Sequence, residues 1–269
     1  MRYDLVASDY DDSLCPKGYK VSEYTRKVIN EFTKRGGHFV IITGRMNFSI
    51  YPIAKELGLK GEIVSCQGAD IRDMQTNEII RNKKVPHLLA IEYLKFAEKL
   101  GLIPQIYADN RLYTVKENEA IKNYSNFCKV NFEYIDGLLS DYVENNLGDI
   151  DMMYLWTNPD KQKENIKLIS ETFKGRLDIT SSTAHNIEAV VKGASKSEAL
   201  QFLARKYNIP ISKTMAFGDS LNDRSMIMSA GLGVAMQNAK DGLKEDADYV
   251  CEASLEDGVS KTIEKFCLK

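Results

Sequence analysis

The sequence predicts an α/β protein in which a doubly wound parallel sheet carries an inserted α+β domain. Two observations predict this fold. Short apolar runs of strand length alternate with helical segments at both ends of the chain, which is typical of a parallel sheet with helices on both faces. Between about residues 83 and 187 the pattern changes to paired strands and helices, and afterwards the first pattern returns. The middle segment is therefore interpreted as an insertion, called the cap below.

The predicted domain division places residues 1–82 and 188–269 in the core and residues 83–187 in the cap. A chain of 269 residues that is 43% hydrophobic and 28% charged is long enough for two folded units. The sequence contains no internal repeat and no low-complexity tract, so we expect short connections between the two domains.

The first part of the core is predicted to contain three strands and two helices. Ser22 is a suitable N-cap for the first helix, and Gly36 and Gly37 supply its stop. The predicted strands are Asp4–Ser8, His38–Ile42 and Glu62–Cys66, and the predicted helices are Val21–Gly37 and Ser49–Leu57.

The cap is predicted to be a mostly antiparallel sheet with helices on one face. An amphipathic helix, Val85–Leu100, precedes a hairpin formed by "PQIYAD" and "RLYTVK" around Asn110. The strand "DMMYLW", a helix over about 160–173, and the strands "LDITSS" and "NIEAVV" follow.

The core pattern returns at a helix predicted over Ser195–Tyr207. The strands "TMAF", "GLGVAM" and "DADYVCE" follow it and complete the predicted core sheet.

Composition excludes several functional classes. The formal net charge is -2 without a basic stripe, so we expect no nucleic-acid partner. The five cysteines are scattered and form no C-x-x-C pair, which favours a reduced cytoplasmic protein. No apolar run approaches the length of a membrane span, and no signal peptide is visible, so we expect no membrane association. The sequence carries no signal for the oligomeric state.

Polar side chains follow several predicted strands and should meet at one edge of the sheet. In open α/β sheets, ligands bind beyond the carboxyl ends of the strands, near the point where the strand order reverses. Asp9 and Asp11 follow the first strand, Thr43 follows the second, and Asp219 follows "TMAF". Lys196 lies at the start of a helix. Clustered carboxylates without histidine or cysteine favour a hard cation, and Mg²⁺ is the ordinary cellular choice.

The same edge offers the donors that a phosphoryl group requires. They are the Thr43 hydroxyl, main-chain N–H groups around Tyr10 and Gly44, the Lys196 ammonium and the Asn222 amide. Phosphoryl transfer depends mainly on positioning and on neutralising the phosphoryl oxygens. The pattern therefore indicates a small phosphorylated metabolite as the substrate.

These motifs resemble the haloacid dehalogenase superfamily, and specifically its Cof-type phosphatases with a large type IIB cap. "DYDDSL" resembles the first motif, "ITGR" the second, Lys196 in "KGASKSEAL" the third and "GDSLND" the fourth. "QGADI" and "GVAMQNA" also resemble signatures of the family. The cap matches by position and length more than by residues.

The resemblance implies a role for each matching residue. Asp9 would be the nucleophile that forms an aspartyl-phosphate, and Asp11 the general acid and then base. Asp9, the main-chain carbonyl of Asp11, and Asp219 would bind Mg²⁺. Asp223 would hold the water shell of the metal and orient Lys196.

Three residues near these motifs depart from the family pattern. Asp12 stands where glycine is commoner, Ser13 where threonine is usual, and Gln67 where asparagine is usual. We expect the Asp12 side chain to point away from the site. Arg45 is predicted to form a salt bridge in preference to contacting the substrate. His185 is the one histidine of interest in the cap, and Tyr107, Tyr113, Tyr154 and Trp156 are expected mostly in packing.

The predicted function is Mg²⁺-dependent hydrolysis of small phosphomonoesters, with sugar phosphates as the favoured class. Two alternatives remain at this stage. A phosphomutase of the same architecture would return the phosphoryl group to the substrate. A non-catalytic sensor of phosphorylated ligands, or an aspartyl-phosphate receiver, would use the same carboxylates for signalling, although receivers are much shorter and lack such a cap.

Overall fold

The computed structural model describes residues 1–117, 119–240 and 242–269. Its strands form two sheets, one of eight strands and one of six. The strands are β1 (Leu5–Ser8), β2 (His38–Ile42), β3 (Glu62–Ser65), β4 (Asp70–Asp73), β5 (Ile79–Asn82), β6 (Ile103–Ala108), β7 (Arg111–Thr114), β8 (Phe132–Tyr134), β9 (Met152–Trp156), β10 (Leu177–Thr180), β11 (Asn186–Val191), β12 (Thr214–Gly218), β13 (Leu232–Met236) and β14 (Tyr249–Cys251).

The described α-helices vary from one and a half turns to four turns. They are α1 (Glu23–Lys34), α2 (Asn47–Glu56), α3 (His87–Lys99), α4 (Glu119–Cys128), α5 (Leu139–Asn146), α6 (Pro159–Thr172), α7 (Lys196–Lys206), α8 (Arg224–Ser229) and α9 (Gly258–Ile263). Single turns of 3-10 helix occur at Cys66–Gly68, Ile211–Lys213, Leu221–Asp223 and Ser254–Glu256, and a π-helical turn at Glu264–Leu268.

The eight-stranded sheet is doubly wound, as predicted. Its strand order is β14-β13-β12-β1-β2-β3-β4-β5. The six strands from β14 to β3 are parallel, whereas β4 and β5 are antiparallel to their neighbours. The chain winds outward from β1 through β2 and β3, and it later returns to the other side of β1 through β12. This reversal places the ends of β1 and β12 at the switch point, where such sheets bind ligands.

The core sheet is buried on both faces because its strands carry apolar side chains on both faces. All four residues of β1 are buried. Val6 belongs to a cluster that includes residues of α1, α2 and α9, whereas Leu5 and Ala7 belong to a cluster with residues of α7. Continuous apolar strands of this kind require helices on both sides of the sheet.

Helix α1 begins where its capping residue predicts. Ser22 has an extended backbone, and its side chain accepts a hydrogen bond of 3.0 Å from the N–H of Thr25. The helix ends at Lys34, and Gly36 adopts a left-handed φ of 93° after it. The predicted N-cap is confirmed, and the regular helix is slightly shorter than its predicted range.

A β-hairpin that the sequence does not predict widens the core sheet. Strands β4 and β5 pair antiparallel at its edge, and the turn between them includes Asn77 at a φ of 61°. The hairpin ends at Asn82. Both strands have four residues, too few to give a clear alternating pattern.

The six-stranded cap sheet has the order β10-β11-β9-β6-β7-β8. Its pairs are antiparallel except β7 with β8. Residues of α3, α5 and α6 pack with Met153 and Leu155 on one face, but α4 packs with Met152 and Tyr154 on the other. The expectation that the helices cover one face is therefore wrong for α4, which lies on the side of the sheet that meets the core.

The predicted end of the cap falls inside a strand. β11 pairs with both β9 and β10, so all of its residues belong to the cap sheet. We therefore propose a boundary after Val191 in place of one between residues 187 and 188. The start of the cap after Asn82 remains a prediction, and it coincides with the end of β5.

Membrane-spanning helices are absent from the described part of the chain, because none of its helices combines enough length with enough apolar character.

Candidate active site

A cavity of about 170 Å³ lies between the carboxyl edge of the core sheet and the cap. The loops after β1, β2 and β12 contribute Asp9, Thr43 and Asp219 to its lining, and the cap contributes Tyr154 from β9. The side chains predicted to follow β1, β2 and β12 therefore line one cavity. Lys196, at the start of α7, lies beneath the cavity and contacts Asp9.

Lys196 is fully buried between two carboxylates. Its Nζ atom donates hydrogen bonds of 2.6 Å to Asp9 Oδ1 and 2.6 Å to Asp223 Oδ1. The side chain is held there because Ser195 caps α7 through a hydrogen bond from the N–H of Glu198, which fixes the first turn. The lysine ammonium thus offsets part of the negative charge of the cluster.

The 3-10 turn Cys66–Gly68 packs closely against the start of α7 and helps to fix it. Gly68 has a φ of +108°, and a Cβ atom at this position would lie 2.4 Å from the carbonyl oxygen of Ser195. Only glycine fits that space and that backbone conformation. The glycine of the "QGAD" motif is therefore required for packing against the residue that precedes the buried lysine.

The acidic cluster has strongly perturbed proton affinities. Burial raises the pKa of Asp9 above its usual range, and the charge of Lys196 opposes this rise. Burial and the nearby charge of Asp223 raise the pKa of Asp219 to about 7. Burial alone would lower the pKa of Lys196, but the charges of Asp223 and Asp9 outweigh burial and raise it. The cluster therefore favours a bound cation in addition to the lysine.

Asp9, Asp219 and Asp223 are arranged as a potential metal site. Each offers a carboxylate oxygen, and these oxygens all lie within 4.8 Å of one another. Asp223 is already engaged, since its Oδ2 accepts hydrogen bonds of 3.1 Å from the N–H groups of Asp219 and Ser220. Asp223 thus holds both the Asp219 loop and Lys196 in place.

The side chain of Asp11 is turned toward Arg45. Arg45 donates to both Asp11 carboxylate oxygens, from Nε at 2.7 Å and from Nη2 at 2.6 Å. The predicted salt bridge of Arg45 is confirmed. The guanidinium also lies over the ring of Phe127 in α4 of the cap, with 4.6 Å from Cζ to the ring centroid. The structure brings Asp11 to the cavity, but its carboxylate lies outside the potential metal site formed by Asp9, Asp219 and Asp223.

Asp12 occupies a left-handed backbone position, which explains why glycine is the usual residue there. Its φ is 57°. The Oδ1 atom accepts a hydrogen bond of 2.8 Å from the N–H of Lys17, and the main-chain oxygen accepts one of 2.8 Å from Asn238 Nδ2. Aspartate tolerates this conformation better than most residues because its side chain bonds locally. The side chain stabilises the turn after Asp9.

The Asp12→Gly variant is expected to retain activity within about twofold, since the lost hydrogen bond is offset by the ease with which glycine adopts positive φ. Asp12→Ala should retain activity as well but be less stable than Asp12→Gly by about 1 kcal/mol. Steady-state kinetics and thermal unfolding of both variants measure this. Loss of phosphate release in Asp12→Gly would assign Asp12 a direct role in the chemistry.

The remaining predicted phosphate-binding residues surround the same cavity. The Thr43 hydroxyl accepts a hydrogen bond of 3.2 Å from the N–H of Arg45, and Gly44 lines the cavity beside it. The ring of Tyr10 lies under Arg45, 5.1 Å from its Cζ, so only the main chain of Tyr10 is suited to the site. Asn222 Nδ2 donates to Gln67 Oε1 at 3.4 Å, while its buried Oδ1 has no hydrogen-bond partner.

Aromatic side chains of the cap form one wall of the cavity, and the sequence alone does not predict which of them face it. Tyr107, Tyr124, Phe127 and Tyr154 line the cavity, and the hydroxyls of Tyr107 and Tyr124 are hydrogen-bonded to each other. Successive side chains of a strand point to opposite faces of the sheet. Tyr107 and Tyr154 therefore face the core, and the residues adjacent to them in the sequence pack against the cap helices on the other face.

Three other cap residues lie away from the cavity. Tyr113 packs in the cluster on the far face of the cap sheet. Trp156 is buried, and its Nε1 donates to Gln105 Oε1 at 3.0 Å. His185 is exposed and lines a separate surface depression. The expectation of a packing role is confirmed for Tyr113 and Trp156.

Glu188 and Gln67 are two polar residues of the cavity for which the sequence predicts no role. Glu188 lies in β11 and is only 3% exposed, and it accepts a hydrogen bond from Gln67 Nε2 across the interface between cap and core. Burial raises the pKa of Glu188, and the hydrogen bonds from Ser182 and Gln67 oppose this rise. The only signal in the sequence was the glutamate within the apolar strand "NIEAVV".

Sheet order, inserted cap and buried lysine together fit one class of protein, the capped α/β hydrolases. Comparison with protein families makes the assignment specific. Residues 6–263 match the model of the haloacid dehalogenase-like hydrolases, and the chain belongs to this family.

Named relatives indicate the activity. The chain is 31% identical over 265 residues to 5-amino-6-(5-phospho-D-ribitylamino)uracil phosphatase YcsE of Bacillus subtilis, which covers 98% of this chain and 96% of the relative. The fold of this chain matches that of a haloacid dehalogenase-like hydrolase from B. subtilis, with a TM-score of 0.86 and 26% identity, over 97% of this chain and 99% of the other. The resemblance to the Cof-type phosphatases is thereby confirmed, and the enzyme is a phosphatase.

A second solved structure supports the fold of the cap. A subclass IIB sugar phosphatase of the superfamily matches with a TM-score of 0.84 and 24% identity, over 99% of this chain and 100% of the other. The α/β core with an inserted α+β cap is therefore shared over the whole length of both chains.

Proposed function

We propose that the enzyme hydrolyses small phosphomonoesters, among them sugar phosphates, with the help of Mg²⁺ and through an aspartyl-phosphate on Asp9. The observation that carries this proposal is Lys196, buried and bound at 2.6 Å to both Asp9 and Asp223 beneath a small capped cavity. A carboxylate that repels its neighbours and is partly neutralised by a lysine is suited to attack an anionic phosphoryl group.

In the proposed reaction, an oxygen of Asp9 attacks phosphorus and the bond between phosphorus and the leaving alcohol oxygen breaks. Asp11 protonates that oxygen as it leaves. A water molecule then attacks the phosphorus of the aspartyl-phosphate and transfers a proton to Asp11, releasing inorganic phosphate and restoring Asp9. Because Arg45 holds both oxygens of Asp11 in the resting structure, Asp11 must first turn from Arg45 toward the leaving oxygen.

Binding of the phosphoryl group is assigned to Thr43, Gly44, Lys196, Asn222 and the main chain at Tyr10. Hydroxyl, ammonium, amide and N–H donors stabilise phosphoryl oxygens through charge-assisted hydrogen bonds. Thr43, Gly44 and Asn222 line the cavity, and Lys196 contacts Asp9 at its base, which supports this assignment.

The acidic cluster fits a hard divalent cation. Asp9 and Asp219 would hold Mg²⁺ through their carboxylates and Asp11 through its main-chain carbonyl, with Asp223 fixing the surrounding loop. When bound, Mg²⁺ would supply positive charge that stabilises the phosphoryl oxygens in the transition state.

The substrate class is supported by the small size of the cavity and by the relatives. A cavity of about 170 Å³ suits a small metabolite more than a phosphorylated protein. One curated relative is named for a phosphorylated ribitylaminouracil. All five cysteines are buried and free, which supports the cytoplasm as the location.

A panel of phosphorylated metabolites, assayed for inorganic phosphate with and without Mg²⁺, tests this function. We expect phosphate release from sugar phosphates that stops after thorough chelation. Isomerised sugar phosphate without free phosphate would favour a phosphomutase, and turnover that persists after chelation would exclude the metal.

Mg²⁺ is expected to raise the melting temperature more at about pH 8 than at about pH 6, because protons compete with the metal for the ligand carboxylates. The pKa of Asp219 is raised to about 7 in the fold, so this carboxyl is mostly protonated at the lower pH. The metal-free protein should show the opposite dependence of stability on pH. The folded state then holds a proton that the unfolded chain lacks, so stability should increase as the pH falls through 7. Differential scanning fluorimetry at both pH values measures the two trends, and a larger Mg²⁺ effect at the lower pH would contradict this account.

A further inference from the structure

A hydrogen-bonded pair of side chains, Gln67 from the core and Glu188 from the cap, closes one side of the cavity. Gln67 Nε2 donates to Glu188 Oε2. Glu188 Oε1 accepts two further hydrogen bonds, from Ser182 Oγ at 2.5 Å and from Asn186 Nδ2 at 2.6 Å. The carboxylate is thus oriented from the cap side by two donors on one oxygen, while a single side-chain donor contacts the other.

The Gln67 side chain is fixed by its surroundings. Its backbone is left-handed, with a φ of 58°, and the side chain is buried. The amide lies so close to Gly44 that a Cβ atom there would be 2.6 Å from Gln67 Nε2. Its Oε1 accepts a hydrogen bond from Asn222 Nδ2. Asparagine, the usual residue at this position, is one methylene shorter and would not reach Glu188 from the same backbone.

The burial of the Glu188 carboxylate is energetically costly, which suggests that it has a functional role. A buried carboxylate is costly, and Glu188 lies in the same cavity as Asp9, Asp11 and Asp219, which are also acidic. Glu188 has no part in the proposed transfer of the phosphoryl group. Its Oε2 atom lies where the core and cap linings meet, bonded to Gln67 and 3.7 Å from the Cβ position of Gly44. The alcohol portion of a phosphate ester would extend past this oxygen toward the cap.

We propose that Glu188, oriented by Gln67, accepts a hydrogen bond from a hydroxyl group of the substrate alcohol and thereby selects polyhydroxylated alkyl phosphates over unsubstituted ones. The inference rests on the proposed function. A carboxylate is an acceptor only, and the Oε2 atom retains capacity for a second donor beside Gln67. Sites that bind a substrate hydroxyl through a buried polar group discriminate strongly against analogues without it, because the polar group is then left unpaired.

Two substrates that differ only in hydroxyl groups test this inference, namely glycerol 1-phosphate and n-propyl phosphate. The measured quantity is the ratio of kcat/KM for glycerol 1-phosphate to kcat/KM for propyl phosphate. We expect Glu188→Gln to lower this ratio at least about tenfold, since a neutral acceptor binds a hydroxyl more weakly than a charged one. Gln67→Asn should also lower the ratio, because the shorter side chain no longer orients Glu188.

A matched control is Glu98→Gln. Glu98 is a partly buried cap carboxylate that accepts hydrogen bonds from Ser140, remote from the cavity. Its ratio should equal that of the wild type. If the wild type hydrolyses both esters and neither Glu188→Gln nor Gln67→Asn changes the ratio, hydroxyl recognition by the pair is wrong although the phosphatase function stands. Equal losses on both esters in the two variants would also overturn it. If the wild type hydrolyses neither ester nor any other phosphate in the presence of Mg²⁺, both the proposed function and the inference fail.

Discussion

Replacing Asp9 with asparagine is expected to reduce phosphate release at least about a thousandfold, as removal of a nucleophile does in other enzymes with covalent intermediates. The amide has nearly the shape of the carboxylate but cannot form the aspartyl-phosphate. The fold should suffer little, because Lys196 keeps its ion pair with Asp223 and because burial raises the pKa of Asp9, against the opposing charge of Lys196. Steady-state kinetics with a sugar phosphate, together with thermal unfolding, test both parts.

Glu62→Gln is the matched control for Asp9→Asn. Glu62 is also a buried carboxylate, 5% exposed, but it lies at the opposite edge of the core sheet, where Lys206 contacts it at 3.2 Å. This variant should lose stability and keep its kcat. An Asp9→Asn enzyme that retained wild-type turnover would show that Asp9 is not the nucleophile.

The Lys196→Met variant is expected to lose both activity and stability. Methionine fills a similar volume but leaves Asp9 and Asp223 without their buried cation. Removing one partner of a buried ion pair costs about 3–5 kcal/mol, which corresponds to a fall in melting temperature of about 10 °C for a chain of this size. Thermal unfolding and phosphate release measure the two effects.

A second substitution separates the electrostatic cause from a packing defect. In the double variant of Lys196→Met with Asp223→Asn, one of the unpaired charges is removed, so part of the lost stability should return while activity stays absent. If Lys196→Met were as stable as the wild type, the lysine would not be the counter-charge of the cluster.

The sequence predicts much of the core because its signals are local. Asp9 and Asp219 each follow a buried apolar strand, and such strands end at one edge of a parallel sheet. Ser22 marks the start of α1 for the same reason, since a cap interacts with its own first turn. Residues fixed by local chemistry could therefore be placed without knowledge of the fold.

The residues that sequence alone could not place depend on contacts between distant segments. Glu188 looks like an ordinary strand residue in "NIEAVV", and only the orientation of β11 over the core directs it at Gln67. Helix α4 lies on the core side of the cap sheet because Phe127 and Cys128 meet Arg45 and Ser49 there. The conformation of Asp12 was hidden as well, although the usual glycine at its position was a signal of positive φ.

The strand order also has a consequence for synthesis of the chain. β1 lies in the middle of the core sheet, and its partner β12 follows only after the whole cap and α7. While the ribosome makes the cap, one edge of β1 has no partner, and unpaired apolar edges invite aggregation. We therefore expect the nascent chain to expose this edge for longest, which makes β1 the segment most in need of a chaperone before the C-terminal strands emerge.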